Sequence, residues 1–441
     1  MKLRISKLFI LLISLSALQA EAFCQEKPAV WNLRSCINYA LANNIQVKKM
    51  QLGVKSSEAD YDQAKASLWP GLNAGISQSF SNKSSINGSG ESASLSGGYS
   101  LQSDVTLFDG YKLRNTIRQQ EMMVKSNQLS VAESENSIQL AVTSAYLQIL
   151  YARESVIDAE NTLKSSEAQL ERAKILYDAG SIARSNLAQV QSQYGNDKYS
   201  LVVARNNLNQ QILSLKQLLE LDISQEIEIY FPEIGDDQVL KLIPSKEEVY
   251  NTALKNLPEV ANSQLNVDIA RKNAEIAKAG LYPSLSLSAS AGTGNSTAYS
   301  DGFVTQLGNN FYQNAGLSLS IPIFNKKQAR SAIAKAQIAT ETAQLGLAET
   351  EKNLLKEIET VYLDAVSAQS RFQAANEQKE YALTSYTLVE DQFNLGMKNT
   401  VDLITAKTTY LQAQQECLQA KYAAILNYKL LDFYQQKEIE L

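Results

Sequence analysis

Hydrophobic positions fall into two periods along this chain, seven in some stretches and two in others. Between Tyr111 and Ala179 there are 69 consecutive residues without glycine or proline. Within that run Val142, Ile149, Val156, Leu163 and Leu170 recur every seven residues, with Ala145, Ala152, Ala159 and Ala173 three positions behind. This is an a/d seam of large against small side chains, so the run predicts one helix, roughly 100 Å long at about 1.5 Å per residue. A helix of that length needs partner helices along it. One is predicted after a turn at Asp178-Ala179-Gly180, over about Ser185 to Leu219, where Leu187, Tyr194, Leu201, Leu208 and Leu215 again keep the interval of seven. The pair forms an antiparallel helical hairpin.

Period two appears just upstream. Leu72, Ala74, Ile76 and Phe80 alternate mostly with Asn73, Gly75, Ser77 and Ser79. After a polar loop over 81–94, Leu95, Tyr99, Leu101, Val105 and Leu107 alternate with Ser96, Ser100, Gln102, Asp104 and Thr106. Each run predicts a strand with one apolar and one polar face. Before them, residues 31–68 read as two short helical segments, the first starting near Asn32, and Trp69-Pro70-Gly71 stops the second.

The whole pattern then returns. Ala40-Leu41, Asn43 and Leu68-Trp69-Pro70 match Ala253-Leu254, Asn256 and Leu281-Tyr282-Pro283 at an offset of 213. Phe108, Tyr146-Leu147, Gly180, Leu187 and Tyr194 match Phe324, Tyr362-Leu363, Gly396, Leu403 and Tyr410 at an offset of 216. One three-residue insertion in a loop accounts for the change, so the chain is an internal duplication. Repeat 1 covers 23–219, with strands at about 72–80 and 95–108 and a helical hairpin over about 110–219. Repeat 2 covers 246–441, with strands at about 284–292 and 313–324, a polar loop between them, and a hairpin over about 325–436. Residues 220–245, interrupted by Pro232, Gly235 and Pro244, read as a linker lying against the hairpins, with a short strand at Ile227, Ile229 and Phe231.

Composition narrows the class. At 44% apolar content over 441 residues the chain is not disordered. Its net charge of −5 comes without a basic run, so no nucleic-acid partner is expected. Lys2, Arg4 and Lys7, the apolar run Leu8 to Leu18 and Ala20-Glu21-Ala22 make a secretory signal over 1–22, whose removal takes the net charge to −7. Cys24, Cys36 and Cys417 show no pairing pattern; Cys24 is a lipidation candidate, although Phe23 stands where a small residue normally precedes a lipidated cysteine. With no histidine anywhere, and no phosphate loop, dinucleotide motif or cysteine cluster, neither an enzyme nor a metal or other cofactor is expected.

The long helices spend their apolar seams on each other, so the strands must bury their apolar faces elsewhere. Strands of about ten residues, apolar on one face and polar on the other, are the walls of outer-membrane barrels. Four strands cannot close such a barrel, and open edges are forbidden in lipid, so several copies must share one, with 8, 12 or 16 strands for two, three or four copies. A surface adhesin, a coiled coil anchored by a small barrel, is the other reading. It would place its strands at one terminus, whereas here a strand pair opens each hairpin.

Val105-Thr106-Leu107-Phe108-Asp109-Gly110, its counterpart from Gly316 to Phe324 and the turns Tyr177-Asp178-Ala179-Gly180 and Phe393-Asn394-Leu395-Gly396 carry a resemblance to the TolC family of outer membrane efflux proteins, over essentially the whole mature chain. The resemblance implies a fold that is mainly α with a β-barrel contribution. A homotrimer would form a 12-stranded barrel in the outer membrane and a 12-helix α-barrel reaching into the periplasm. It also implies a non-catalytic exit duct working with a periplasmic adaptor and an inner-membrane efflux pump or ABC transporter, with the entrance and the adaptor-docking turns at Gly180 and Gly396. Family members often carry two acidic residues just after the second turn. Asp402 matches the first and Thr405 stands at the second, which leaves one ring of three carboxylates that would favour cations; the other reading of Asp402 is a complement to the N-terminus of the last helix. Lys398, Ser185 and Asn186 stand where polar contacts hold family entrances shut, and Phe393 lacks the hydroxyl of a tyrosine there. Lys398 also reads as a simple solvated cation. The cargo is not legible.

Overall fold

The structure, a computed structural model, describes residues 30–83, 92–222, 224–232 and 234–440. The predicted signal segment, Cys24 and the middle of the first strand loop lie outside the described residues. Asn32 caps the first helix, α1 (Leu33–Asn43), accepting from Ser35 N at 2.8 Å. Asn44 then ends α1 and starts α2 (Ile45–Ala66), its side chain accepting from Gln46 N at 2.8 Å while its own N–H reaches Ala40 O.

Four strands follow the two-residue period: β1 (Gly71–Lys83), β2 (Ser92–Phe108), β3 (Ser284–Ser296) and β4 (Tyr312–Ser320). They form one antiparallel sheet in chain order, so the two repeats meet at β2 and β3 and both outer edges are unpaired in the single chain. Paired residues share a face. Leu72, Ala74, Ile76 and Phe80 therefore lie beside Tyr99, Leu101 and Leu95, which continue across the sheet to Leu285, Leu287, Ala289 and Ala291 and on to Ala315, Leu317 and Leu319. The opposite face carries Asn73, Ser77, Ser79, Gln102, Asp104, Ser286, Ser288, Ser290, Asn314 and Ser318. Among the described residues the apolar face is open over most of its length: Ile76 is 80% exposed.

Three details depart from the sequence pattern. The β2/β3 register shifts between Thr106 and Phe108, so Leu107 drops out of the alternation. β4 stops at Ser320 instead of running to 324, because Pro322 has no N–H to give a ladder. The second loop, expected to be plain polar loop, holds a seven-residue helix over Phe303–Asn309.

The long run folds as α3 (Lys112–Asp178), 67 residues, and its copy as α9 (Gln328–Asn394), also 67. Each pairs over its second half with a 35-residue return helix, α4 (Arg184–Leu218) and α10 (Thr400–Tyr434). Over its first half α3 packs against α2 and α7 (Pro258–Lys278), and α9 against α7. The linker carries a single turn, α5 (Asp236–Val239), and α6 (Lys246–Asn256) leads into α7. The loop helix between β3 and β4 is α8 (Phe303–Asn309).

The main core sits at mid-length of the long helices. Val142, Tyr146 and Ile149 of α3 meet Ile358, Ala365 and Phe372 of α9, the ends of α4 and α10 at Leu215, Ile425 and Leu431, and Trp31, Cys36, Val239 and Val249. The linker is tied into this belt. Trp31 N donates to Glu228 O at 2.8 Å and Tyr230 N to Trp31 O at 2.9 Å, while the Tyr146 hydroxyl donates to Tyr230 O. Instead of the expected short strand at 227–231 there is one parallel bridge, Trp31 to Ile229.

Candidate functional site

The ends of the two hairpins, far from the sheet, gather the residues expected to form the entrance. Both turns close alike. Gly180 (φ 72°) donates to Tyr177 O at 2.9 Å and Ser181 N to Leu176 O at 2.8 Å. Gly396 (φ 75°) donates to Phe393 O at 3.0 Å and Met397 N to Gln392 O at 2.8 Å. Each is a Schellman end, which needs a left-handed residue and so selects glycine.

Beyond the second turn Asn399 caps α10, its side chain accepting from Asp402 N at 2.9 Å. Asp402 thus lies in the first helical turn, where the helix dipole favours its charge. Its carboxylate is 3.8 Å from Lys398 Nζ, with both side chains a little over 40% exposed, so the pair contributes little to stability. Thr405 donates to Val401 O at 2.8 Å, Ser185 is exposed, and Asn186 and Phe393 are half-buried. Among the described residues of one chain, no hydrogen bond or ion pair joins Lys398 to Ser185 or Asn186; Asp402 is its partner.

The two hairpins are tied a little deeper, by residues that sequence reasoning did not single out. Gln169 Nε2 donates to both Tyr386 Oη and Glu390 Oε1 at 2.8 Å, Tyr386 Oη donates to Glu390 at 2.8 Å, and Arg172 reaches Asn394 O at 3.1 Å. Tyr386 stacks on Tyr410, with ring centroids 5.9 Å apart and 3° between planes. Burial raises the Tyr386 phenol to about 12, so it stays a donor at any ordinary pH.

Next comes a buried ionic cluster. Lys407 Nζ of α10 lies 2.9 Å from Asp197 Oδ2 of α4 and 2.6 Å from Ser166 Oγ of α3, and Ser166 also donates to Asp197. Gln193 donates to the other Asp197 oxygen at 2.8 Å, and the Lys407 and Asp197 side chains are 3% and 6% exposed. One sequence signal could have found it: Lys407 stands seven residues after buried Thr400 and Asp197 seven after buried Val190, so each carries a charge on a buried seam.

Further toward the belt a cavity of about 460 Å³ opens between α3, α4 and α10, lined by Tyr151, Ser155, Asp158, Asn207 and Gln414 among others. Burial, reinforced by the Glu154 charge, pushes the Asp158 carboxyl up to about 6, against the pull of Lys379, Gln414 and Lys421. Glu154 in turn accepts from Tyr422 Oη at 2.7 Å and lies 3.4 Å from Lys421 Nζ. Cys36 and Cys417 are free and buried.

This geometry is a stack of polar ties between two helical hairpins, ending in an acidic residue at an open tip. Comparison with known proteins identifies the family of the chain. The family model described as "Outer membrane efflux protein" matches residues 36–220 and 249–432, one copy in each repeat. The chain is 24% identical over 435 residues to the outer membrane protein TolC of Escherichia coli K12, covering 96% of this chain and 84% of that protein. It is 26% identical over 407 residues to the toxin and drug export protein A of Aggregatibacter actinomycetemcomitans, covering 89% and 83%. Among solved structures it is similar in fold to CusC, with a TM-score of 0.79 at 19% identity, covering 94% of this chain and 96% of that one.

Proposed function

Because the chain belongs to the outer membrane efflux protein family, we propose that it works as a homotrimeric exit duct, closed at rest and opened from its periplasmic end. It is a channel of the outer membrane and not an enzyme. The opening partners in this proposal are a periplasmic adaptor and an inner-membrane efflux pump or ABC transporter, meeting the hairpin turns at Gly180 and Gly396.

The observation that carries the reading is the sheet. It has a bare apolar face, a polar face and two unpaired edges, a combination that is tolerated in lipid only when the edges are closed. Four strands from each of three copies make a 12-stranded barrel, within the range that membrane barrels use. The same three copies bring α3, α4, α9 and α10 together as a 12-helix tube, about 100 Å long by the length of α3 and α9.

At the mouth of that tube Asp402 forms a ring of three carboxylates, and neutral Thr405 adds no second ring. Lys398, 3.8 Å from each Asp402, offsets part of the field, so cation selectivity is modest. The ties Gln169–Tyr386–Glu390 and Arg172–Asn394 hold the two hairpins of each copy together, with Lys398, Ser185, Asn186 and Phe393 at the rim.

Conductance in planar bilayers under a monovalent salt gradient tests this. The native protein should give a small, cation-favouring conductance, Asp402→Ala should lose the preference and Lys398→Ala should strengthen it. Absence of any conductance, even with Lys398→Ala, would sink the duct. Selectivity indifferent to Asp402→Ala would move the constriction elsewhere.

A further inference from the structure

The connection between β3 and β4 is more built than a loop needs to be. Helix α8 is pinned to the distal end of β3 by three hydrogen bonds, and a fourth ties it to its own entry loop. Thr293 Oγ1 donates to Leu307 O at 2.6 Å and Asn310 Nδ2 to Gly294 O at 2.7 Å. Gln306, buried to 6% exposure, accepts from Ser296 N at 2.7 Å and donates to Asp301 O at 2.6 Å. Against this fixed polar underside the connection leaves its apolar side chains outside: Val304 is 80% exposed, and Tyr299, Phe303 and Phe311 are each more than half exposed. Asp301 is the one charged residue between Thr297 and Tyr312.

The side of the sheet on which α8 rests follows from register. Thr293 pairs with Tyr99 and occupies the alternate position of β3 that Leu285, Leu287, Ala289 and Ala291 also take, so its hydroxyl meets α8 on the apolar face. Phe311 continues the positions of Leu319, Leu317 and Ala315 on that face. Tyr312 belongs to the other face, where its ring covers Gly292 so closely that a Cβ there would meet the phenol oxygen at 2.6 Å. Depth agrees: the nine steps from Ser284 to Thr293, at about 3.4 Å each and tilted about 40°, climb roughly 23 Å, close to the apolar band of about 25 Å in outer-membrane barrels. At the opposite border Trp69, Tyr282 and Phe324 stand exposed beside the helices.

We propose that α8 is an interfacial anchor: it seats Phe303, Val304 and Phe311 in the headgroup layer of the outer leaflet, as the distal counterpart of the Trp69, Tyr282 and Phe324 border. The occupant of this apolar patch is lipid, because the patch continues the lipid-facing side of the sheet and carries almost no charge. The inference rests on the barrel reading above, and the test separates the two.

Nitroxide labels at Val304→Cys, Ile76→Cys and Asn314→Cys, in a Cys24→Ser background with Cys36 and Cys417 buried, are measured in trimers reconstituted into phosphatidylethanolamine–phosphatidylglycerol vesicles. Each label's relaxation by oxygen, which partitions into lipid, is compared with its relaxation by a water-soluble nickel chelate. Ile76 in mid-sheet should favour oxygen strongly and Asn314 on the polar face should favour nickel. Val304 should favour oxygen, less strongly than Ile76, as a headgroup position does. A Val304 label that matches Asn314 overturns the anchor and makes α8 a cover over the pore mouth or a free surface. An Ile76 label in water overturns the barrel reading itself, whatever Val304 shows.

Discussion

Lys407 carries a full charge into a seam otherwise filled by Leu403, Ala413 and Cys417, and it is tolerated there because Asp197 and Ser166 absorb its donors. A buried pair of this kind adds little net stability, but breaking it strands the remaining charge. Lys407→Met should therefore cost about 3–5 kcal/mol, measured by urea unfolding of the detergent-solubilised protein. The double change Lys407→Met with Asp197→Leu should recover most of that loss; a double variant as weak as the single one would mean that the cluster is not an isolated pair. Asp158 makes a second test, by pH. Its folded-state pKa is raised to about 6, whereas the unfolded chain gives up that proton near 4. In that window the native state binds more protons, so stability falls as pH rises from 4 to 6 and is level above. The drop is about 3 kcal/mol at most, and Asp158→Asn should abolish it and leave the protein more stable at pH 7. Unfolding midpoints at pH 4, 5, 6 and 7 for both proteins decide the matter.

At the scale of elements, the duplication repeats backbone conformation even where it does not repeat residue type. Each second strand enters its long helix through two left-handed residues, Gly110 and Tyr111 in the first repeat (both φ 69°) and Lys326 and Lys327 in the second (φ 51° and 65°). Gly110 has no room for a side chain: a Cβ would meet Tyr282 Cβ at 2.7 Å and Ala279 O at 3.0 Å. Gly180 and Gly396 have open space around them and need only the dihedral. Gly180→Ala and Gly396→Ala should each cost about 1 kcal/mol, and Gly110→Ala distinctly more. Lys326→Gly should be slightly stabilising, since relieving about 1–2 kcal/mol of left-handed strain outweighs the added unfolded-state entropy of about 0.4–1 kcal/mol. Thermal melts of the four variants rank them, and equal losses at Gly110 and Gly396 would show that the Tyr282 contact yields freely. What was legible in the sequence follows from period and length. A run of 69 residues without glycine or proline, a seam of seven within it and strands alternating in two matched places leave little choice of element. Helix α8 was illegible because seven residues that follow Gly302 and contain Gly308 carry no period; Gln306, Thr293 and Asn310 hold it through contacts that only the fold makes. The buried cluster was missed for a related reason, since Ser166, Asp197 and Lys407 come from three helices and lie up to 241 positions apart. Asp402 and Lys398 were singled out by the family resemblance, which counts from the turn at Gly396 and needs no contact across the fold. The partners of Gln169 and Arg172 could not, because they lie on the other hairpin.

For the whole molecule, the decisive feature is that a single chain is incomplete. Its sheet exposes Leu72, Ile76, Phe80, Leu317 and Leu319 on one side, all more than 60% accessible, and leaves β1 and β4 each with one edge unpaired among the described residues. Judged as a water-soluble fold this surface is a liability at both edges. In a closed barrel the same surface is the lipid contact, and β4 of one copy pairs with β1 of the next. The two environments predict opposite consequences for a charge on the apolar face. Ile76 is 80% exposed in the single chain, so in water Ile76→Lys would be harmless or even favourable to solubility. In mid-bilayer it costs about 2–4 kcal/mol per copy, and a trimer repeats the penalty three times. Asn314→Lys places the same charge on the polar face and should be tolerated by assembly. Expressed in an outer-membrane host, Ile76→Lys should sharply reduce heat-sensitive trimer in the membrane fraction, whereas Asn314→Lys should leave trimer yield near native and alter only the conductance of the pore. Equal yields from both variants would mean that the apolar face does not meet lipid, and the closed barrel would fall with it.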